Sequence, residues 1–63
     1  MHPIRAARLK AGMTQREVAD SLVVNERTVM RWELGQTIPE TDKLLRLARL
    51  LRRRPEDLVQ VTA

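Results

Sequence analysis

The chain has 63 residues, no cysteine and a single tryptophan with no Phe or Tyr, and its 12 basic against 8 acidic residues give a formal net charge of +4. A chain this short buries only about 60% of its unfolded surface and has no disulfide or thiolate metal site to stabilise it, so one all-α domain over residues 1–63 is predicted. No run of 18 apolar residues occurs and no apolar stretch follows the N-terminal charges, which excludes a membrane span and a signal peptide and favours the cytoplasm.

The first predicted helix begins at His2-Pro3, because proline is favoured at a first helical position. Its face at helical spacing consists of Ile4, Ala7, Arg8 and Ala11. Gly12 supplies the helix stop. His2 is the only histidine and lies at a fraying end, so neither metal binding nor catalysis is predicted for it.

The second predicted helix starts from a capping-box pattern. Thr14 is a good N-cap and Glu17 follows three residues later. Its buried stripe consists of Val18, Ala19 and Leu22. A helix of about eight residues is marginal alone, so tertiary packing must hold it.

A third helix is predicted over about 26–34, with Asn25 as its N-cap and Gly35 after its end. Val29 and Trp32 are its inward anchors. Trp32 is assigned to the core rather than to base stacking, because one isolated aromatic residue is a poor platform for a single strand. Together with Leu47 of the next helix, the predicted core anchors are Val18, Leu22, Val29, Trp32 and Leu47.

A fourth helix is predicted to begin at Glu40 or Thr41, after a loop in which Pro39 holds Ile38 extended. Its inward residues follow a 3-4-3 spacing: Leu44, Leu47, Ala48 and Leu51. Arg52-Arg53 ends it. Pro55 then opens a short fifth helix, with Leu58 and Val61 as its anchors.

Two short helices with a tight connection, the second capped by a polar residue and followed by glycine, form a helix-turn-helix pattern. The segments that carry a wider likeness are Arg8…Gly12-Met13-Thr14-Gln15, Glu17-Val18-Ala19, Thr28-Val29, Trp32-Glu33-Leu34-Gly35, Pro39, Leu44, Leu47-Ala48, Leu51 and Pro55…Leu58. Through them, residues 4–59 resemble the phage repressor and Cro-like (XRE-type) helix-turn-helix proteins. The resemblance implies a compact five-helix lambda-repressor-like DNA-binding domain in which helices 2 and 3 form the motif.

Three positions depart from the family pattern. Val23 stands where the turn usually has glycine, and a branched residue at positive φ is costly, so a reshaped or strained turn is expected. Arg52 replaces the glycine that usually ends helix 4, and Arg53 replaces the apolar residue after it. That corner commonly supports dimerisation in the family.

The outward face of helix 3 is predicted to read bases in the major groove. Arg27 and Arg31 share this face and can each fork onto guanine O6 and N7. Glu26 can accept from cytosine N4, or can instead hold one of the arginines in place. Thr28 can touch a phosphate or a thymine methyl group. The competing interpretation is an ordinary solvated face.

The resemblance also implies positioning residues. Gln15 is expected to bond a phosphate at the start of helix 2, where the helix dipole favours an anion. Arg16 and Lys43 are lesser phosphate candidates, and Lys43 can equally be a plain surface lysine. Arg8 and Glu33 are expected to form a partly buried structural salt bridge, as these positions do in the family. The Arg52–Arg54 run is either a phosphate patch or a solvated terminus.

The expected function is a sequence-specific regulator of transcription, most simply a repressor, that binds double-stranded DNA as a homodimer on a palindromic operator. The alternative is a protein-interaction or antitoxin-type module with the same fold. Leucines and valines that need not all point inward favour that alternative: Leu9, Leu34, Leu45, Leu50, Val59 and Val61. No acid/base constellation, Gly-rich phosphate loop or metal cluster occurs, so no enzyme, cofactor, metal or small-molecule substrate is predicted.

Overall fold

The computed structural model of the protein describes residues 1–59, and all the regular structure in that range is helical. The elements are α1 (Pro3–Lys10), α2 (Gln15–Leu22), α3 (Glu26–Glu33), α4 (Thr41–Leu51) and a 3-10 turn at Pro55–Asp57. None of the helices within residues 1–59 has the length and apolar character needed to cross a membrane.

The predicted fifth helix is corrected by the structure. Pro55–Asp57 makes a single 3-10 turn, in which the Leu58 N–H donates to the Pro55 carbonyl at 3.1 Å. One turn is enough to bring Leu58 into the core, where it is almost fully buried. Val61, the other proposed anchor of this helix, lies outside the described residues.

Helix α1 is fixed at both ends by local bonds. The His2 imidazole Nδ1 accepts from the Ile4 N–H at 3.1 Å, so His2 is a side-chain N-cap. At the other end Gly12 takes φ +73, which lets the Met13 N–H bond the Arg8 carbonyl at 3.2 Å. The helix therefore stops at the predicted glycine.

Helix α2 begins with the predicted capping box, which is confirmed. The Glu17 N–H donates to Thr14 Oγ1 at 3.0 Å, and the Thr14 N–H donates to Glu17 Oε1 at 2.8 Å. This backbone donor, aided by the Thr14 side chain, lowers the pKa of the Glu17 carboxyl. The capping pair thus favours the ionised form of Glu17 at the positive end of the helix dipole.

Two helices end at non-glycine residues in the left-handed region. Val23 closes α2 at φ 57, ψ 49, and Arg52 closes α4 at φ 57, ψ 47. In each case the next residue donates its N–H back into the helix, Val24 to Ala19 at 3.0 Å and Arg53 to Ala48 at 2.9 Å. The backbone therefore keeps the geometry usual for glycine, and the side chains bear the steric cost.

Helix α3 begins at the expected place but without the expected cap. Asn25 occupies the N-cap position at φ −74, ψ 148, yet its side chain makes no capping hydrogen bond. The Thr28 N–H bonds the Asn25 backbone carbonyl instead, at 3.0 Å. Asn25 therefore contributes through its backbone conformation, and the predicted side-chain role is wrong.

One apolar core joins all these elements. Its buried members are Ile4, Ala7, Val18, Ala19, Leu22, Val29, Trp32, Leu47, Ala48, Leu51 and Leu58. The five expected anchors are all in this set, and Trp32 is only 3% exposed. The tryptophan ring is therefore unavailable for stacking on a base.

The packing of the helices leaves one side of α3 free. Helix α3 packs against α2 and α1, whereas α4 packs against α2 and the 3-10 turn. Since each α-helix has only 8 to 11 residues, these contacts rather than intrinsic propensity hold the helices. They set the angle at which α3 is presented.

Candidate nucleic-acid interface

Helix α3 separates its inward from its outward residues cleanly. Val29 and Trp32 are buried, while Glu26, Arg27 and Arg31 are exposed. The 3.6-residue period produces this division, because residues three or four apart lie on the same face. Long polar side chains therefore cover the outer face from the first turn of α3 to its last.

The two outward arginines of α3 are not neutralised by the protein. Within residues 1–59 neither Arg27 nor Arg31 takes part in an ion pair, and Glu26 does not bridge to either of them. Like charges four residues apart destabilise an isolated helix by roughly 0.2–0.5 kcal/mol. This face thus offers two guanidinium groups whose donors are available to a partner.

A buried network holds α3 to the two preceding helices. Arg8 Nε donates to Glu33 Oε2 at 2.6 Å, Arg8 Nη2 donates to Oε1 at 3.1 Å, and Arg8 Nη1 donates to the Met13 carbonyl at 2.9 Å. The side chains of Arg8 and Glu33 are only 9% and 2% exposed. A buried pair is tolerated only when its remaining polar atoms are satisfied, and no buried side-chain polar atom within residues 1–59 lacks a partner.

Gln15 belongs to this network as well as to the start of α2. Its Nε2 donates to Glu33 Oε1 at 3.0 Å, which fixes the amide group over the end of α3. An amide nitrogen carries two hydrogens, so one donor remains for a further acceptor. In addition, the backbone N–H groups of Gln15 and Arg16 have no acceptor within residues 1–59. The start of α2 therefore presents a small set of donors at a positive helix end.

The other two expected phosphate contacts are placed less favourably. Arg16 is exposed and forms no ion pair with any of residues 1–59. Lys43 is half-buried, and its Nζ lies 3.6 Å from Asp42 Oδ2, so its charge is partly balanced. Thr28 is also half-buried, which limits it to short-range contacts. No group of three or more histidine or acidic side chains within residues 1–59 is placed to hold a metal ion.

Two contributors were missed by sequence reasoning. His2 caps α1, and burial is the main cause that lowers the pKa of its imidazole, against the opposing attraction of Glu33. The Met13 carbonyl is the second acceptor for Arg8. Neither has a signature in the sequence, since both depend on how the chain folds back at the ends of α1.

Comparison with known proteins identifies the family. A family profile described as Helix-turn-helix matches residues 4–58. No curated protein and no solved structure gives a significant match. The matched range takes in the buried network, the outward face of α3 and almost all of the four α-helices. The resemblance seen in the sequence is therefore confirmed, and the chain belongs to the Cro/C1-type (XRE) helix-turn-helix family of DNA-binding transcription regulators.

Proposed function

We propose that the protein represses transcription by inserting α3 into the major groove of a specific DNA site. The observation that carries this proposal is the pair of exposed, unpaired arginines, Arg27 and Arg31, opposite the buried Val29 and Trp32. An α-helix with its side chains is about 10–12 Å across, and the major groove is about 12 Å wide. Helix α3 thus has the size and the donors that groove recognition requires.

The roles of the α3 side chains follow from base chemistry. Arg27 and Arg31 each present a fork of donors for guanine O6 and N7, and each such pair is worth about 1–3 kcal/mol of discrimination. Glu26 accepts from cytosine N4, and its freedom from ion pairs within residues 1–59 supports this role over that of a support for the arginines. Thr28 contacts a thymine methyl group or a phosphate.

The start of α2 anchors the protein on the sugar-phosphate backbone. Gln15 and the free N–H groups beside it donate to one phosphate, and Arg16 adds a charge contact. Lys43 contributes more weakly because Asp42 shares its charge. Such contacts set the position of α3 but carry no sequence information. Since Gln15 is bonded to Glu33, the anchor and the reading helix are positioned together.

A two-fold homodimer on a palindromic operator completes the proposal. One domain of this size makes few contacts, and joining two modules raises the effective affinity without new chemistry. The half-sites would lie about one helical turn, roughly 34 Å, apart. Exposed apolar residues such as Leu34 and Ile38 are available for self-association. Repression follows when the bound dimer covers promoter DNA.

Selection from random duplex DNA tests the whole proposal. We expect enrichment of a palindromic site and a steep loss of affinity with salt, since bound phosphates release counterions. In the selected site, Arg27→Ala and Arg31→Ala should each lose about 1–3 kcal/mol of preference at one base pair. Arg5→Ala is the matched control, because it removes an equally exposed charge from α1 and should weaken all duplexes alike. Failure to enrich any sequence would reject the proposal.

A further inference from the structure

A groove runs along α1 on the side where α4 ends. It consists of two depressions of about 440 and 320 Å³ that share Ala7, Lys10 and Arg53 in their walls and are therefore continuous. Its apolar floor is formed by Ala6, Ala7, Ala11, Leu50, Leu51 and Leu58. We call it the α1–α4 groove. None of the residues assigned to DNA reading or phosphate contact lines it.

The rim of the α1–α4 groove is cationic. Lys10 comes from α1, and Arg52 and Arg53 come from the end of α4. All three are exposed, and none forms an ion pair with any of residues 1–59. The one acid in the lining, Asp57, is bound by Arg54 Nε at 3.2 Å. The groove thus combines a small-residue apolar floor with three uncompensated positive charges.

Arg52 occupies its position at a steric cost. It takes φ 57, where glycine has no Cβ to clash, and its exposed side chain adds nothing to the core. Non-glycine residues held in the left-handed region cluster at ligand-binding sites. Balancing the dipole of α4 does not explain it, because Arg49 already lies in the last turn and the Ala48 and Arg49 carbonyls are bonded by backbone N–H groups.

We propose that the α1–α4 groove binds an acidic amphipathic segment of a partner protein. Charge complementarity selects an acidic segment, and the apolar floor selects one with a hydrophobic face. DNA has no use for such a floor, because its backbone offers only charged and polar groups. Helix α1 has eight residues and is about 12 Å long, so about two turns of a partner helix fit against it. This surface is separate from the proposed DNA interface and does not depend on it.

The test uses a synthetic 16-residue peptide with leucines on one helical face and glutamates on the other, and an isomer of equal composition whose leucines are spread around the helix. Labelled peptide is titrated with the full chain and followed by fluorescence anisotropy. We expect the patterned peptide to bind about tenfold more tightly than the isomer. Equal binding of the two would mean bulk charge attraction and would overturn the proposal.

Variants on the two walls locate the site. Lys10→Gln and Arg52→Gly should each weaken binding of the patterned peptide by about threefold to tenfold, the effect of losing one close charge contact. Arg49→Gln is the matched control: it removes an exposed charge from α4 that does not line the groove, and it should change affinity by less than about twofold. An equal loss in all three variants would reject the groove as the site.

Stability and DNA binding separate the remaining explanations. Arg52→Gly should raise the Tm, because glycine adopts φ 57 without a Cβ penalty, so weaker peptide binding in this variant cannot come from unfolding. Should its Tm fall instead, Lys10→Gln decides the matter. If both wall variants lost affinity for duplex DNA more than Arg49→Gln did and kept full affinity for the peptide, the groove would be a DNA contact and the proposal would be wrong.

Discussion

Replacing Val23 by glycine should stabilise the protein, although it removes an apolar side chain from the helix-turn-helix. Val23 is held at φ 57, ψ 49, and its side chain is branched at Cβ, where crowding against the backbone is greatest. The residue is 81% exposed, so the side chain packs little against the rest of the protein. The conformational strain is therefore not offset by burial.

The expected gain can be worked out from three contributions. Relief of a branched residue from the left-handed region is worth about 2 kcal/mol. Against this, glycine gives the unfolded chain more freedom, which costs about 0.7 kcal/mol. The lost burial costs about a fifth of the value for a buried valine, or roughly 0.4 kcal/mol. The net stabilisation is about 1 kcal/mol, which for a domain of this size raises the Tm by about 4–8 °C.

Thermal unfolding followed by far-UV circular dichroism measures this change, and the fluorescence of the single, buried Trp32 provides a second probe of the same transition. Val23→Ala is the control, since alanine removes the branch but keeps Cβ at positive φ. It should give less than half of the gain. A Tm at or below that of the wild type for Val23→Gly, or an equal gain for Val23→Ala, would refute the strain argument.

Three other predictions follow from the buried network and the helix caps. Arg8→Ala leaves the Glu33 carboxylate buried without its cation and should cost about 3–5 kcal/mol in denaturant unfolding. Thr14→Ala removes the α2 cap and should cost about 1 kcal/mol. His2 should make stability fall as the solution is acidified below pH of about 6.5, because its lowered pKa lets the unfolded chain take up a proton before the folded one does.

Each of these has a control. Arg31→Ala removes an exposed arginine and should leave stability within about 0.5 kcal/mol, so an effect equal to that of Arg8→Ala would contradict the network. Under Thr14→Ala the pKa of Glu17 should rise towards its ordinary value in an NMR titration. His2→Ala should abolish the pH dependence near 6.5; an unchanged profile would assign it to another group.

The parts of the fold that were predictable are those with local causes. The capping box of Thr14 and Glu17 and the glycine stop at Gly12 involve residues a few positions apart, so their pattern is visible in the sequence. Likewise the 3.6-residue period separates Val29 and Trp32 from the outward arginines. The same local view misjudged Asn25 and the segment after Pro55, where backbone bonds satisfied the chain without a side-chain cap or a full helix.

The candidate site was less completely predictable because its wiring is tertiary. Gln15 was expected to face phosphate, and the structure also bonds it to Glu33, eighteen positions away. The network role of Met13 and the capping role of His2 likewise require knowledge of which chain segments meet at the ends of α1. Residue type and spacing identify which groups can act, whereas the partners of each group emerge only from the assembled helices.

The clean division of α3 into two faces has an evolutionary consequence. Exchanging Arg27 or Arg31 for another polar residue alters no atom of the core, whereas any change at Glu33 disturbs three helices at once. Drift in target preference and loss of the fold are thus governed by different positions of one eight-residue helix. A lineage can acquire a new target by single substitutions on the outer face, each neutral for folding, while the scaffold is inherited intact.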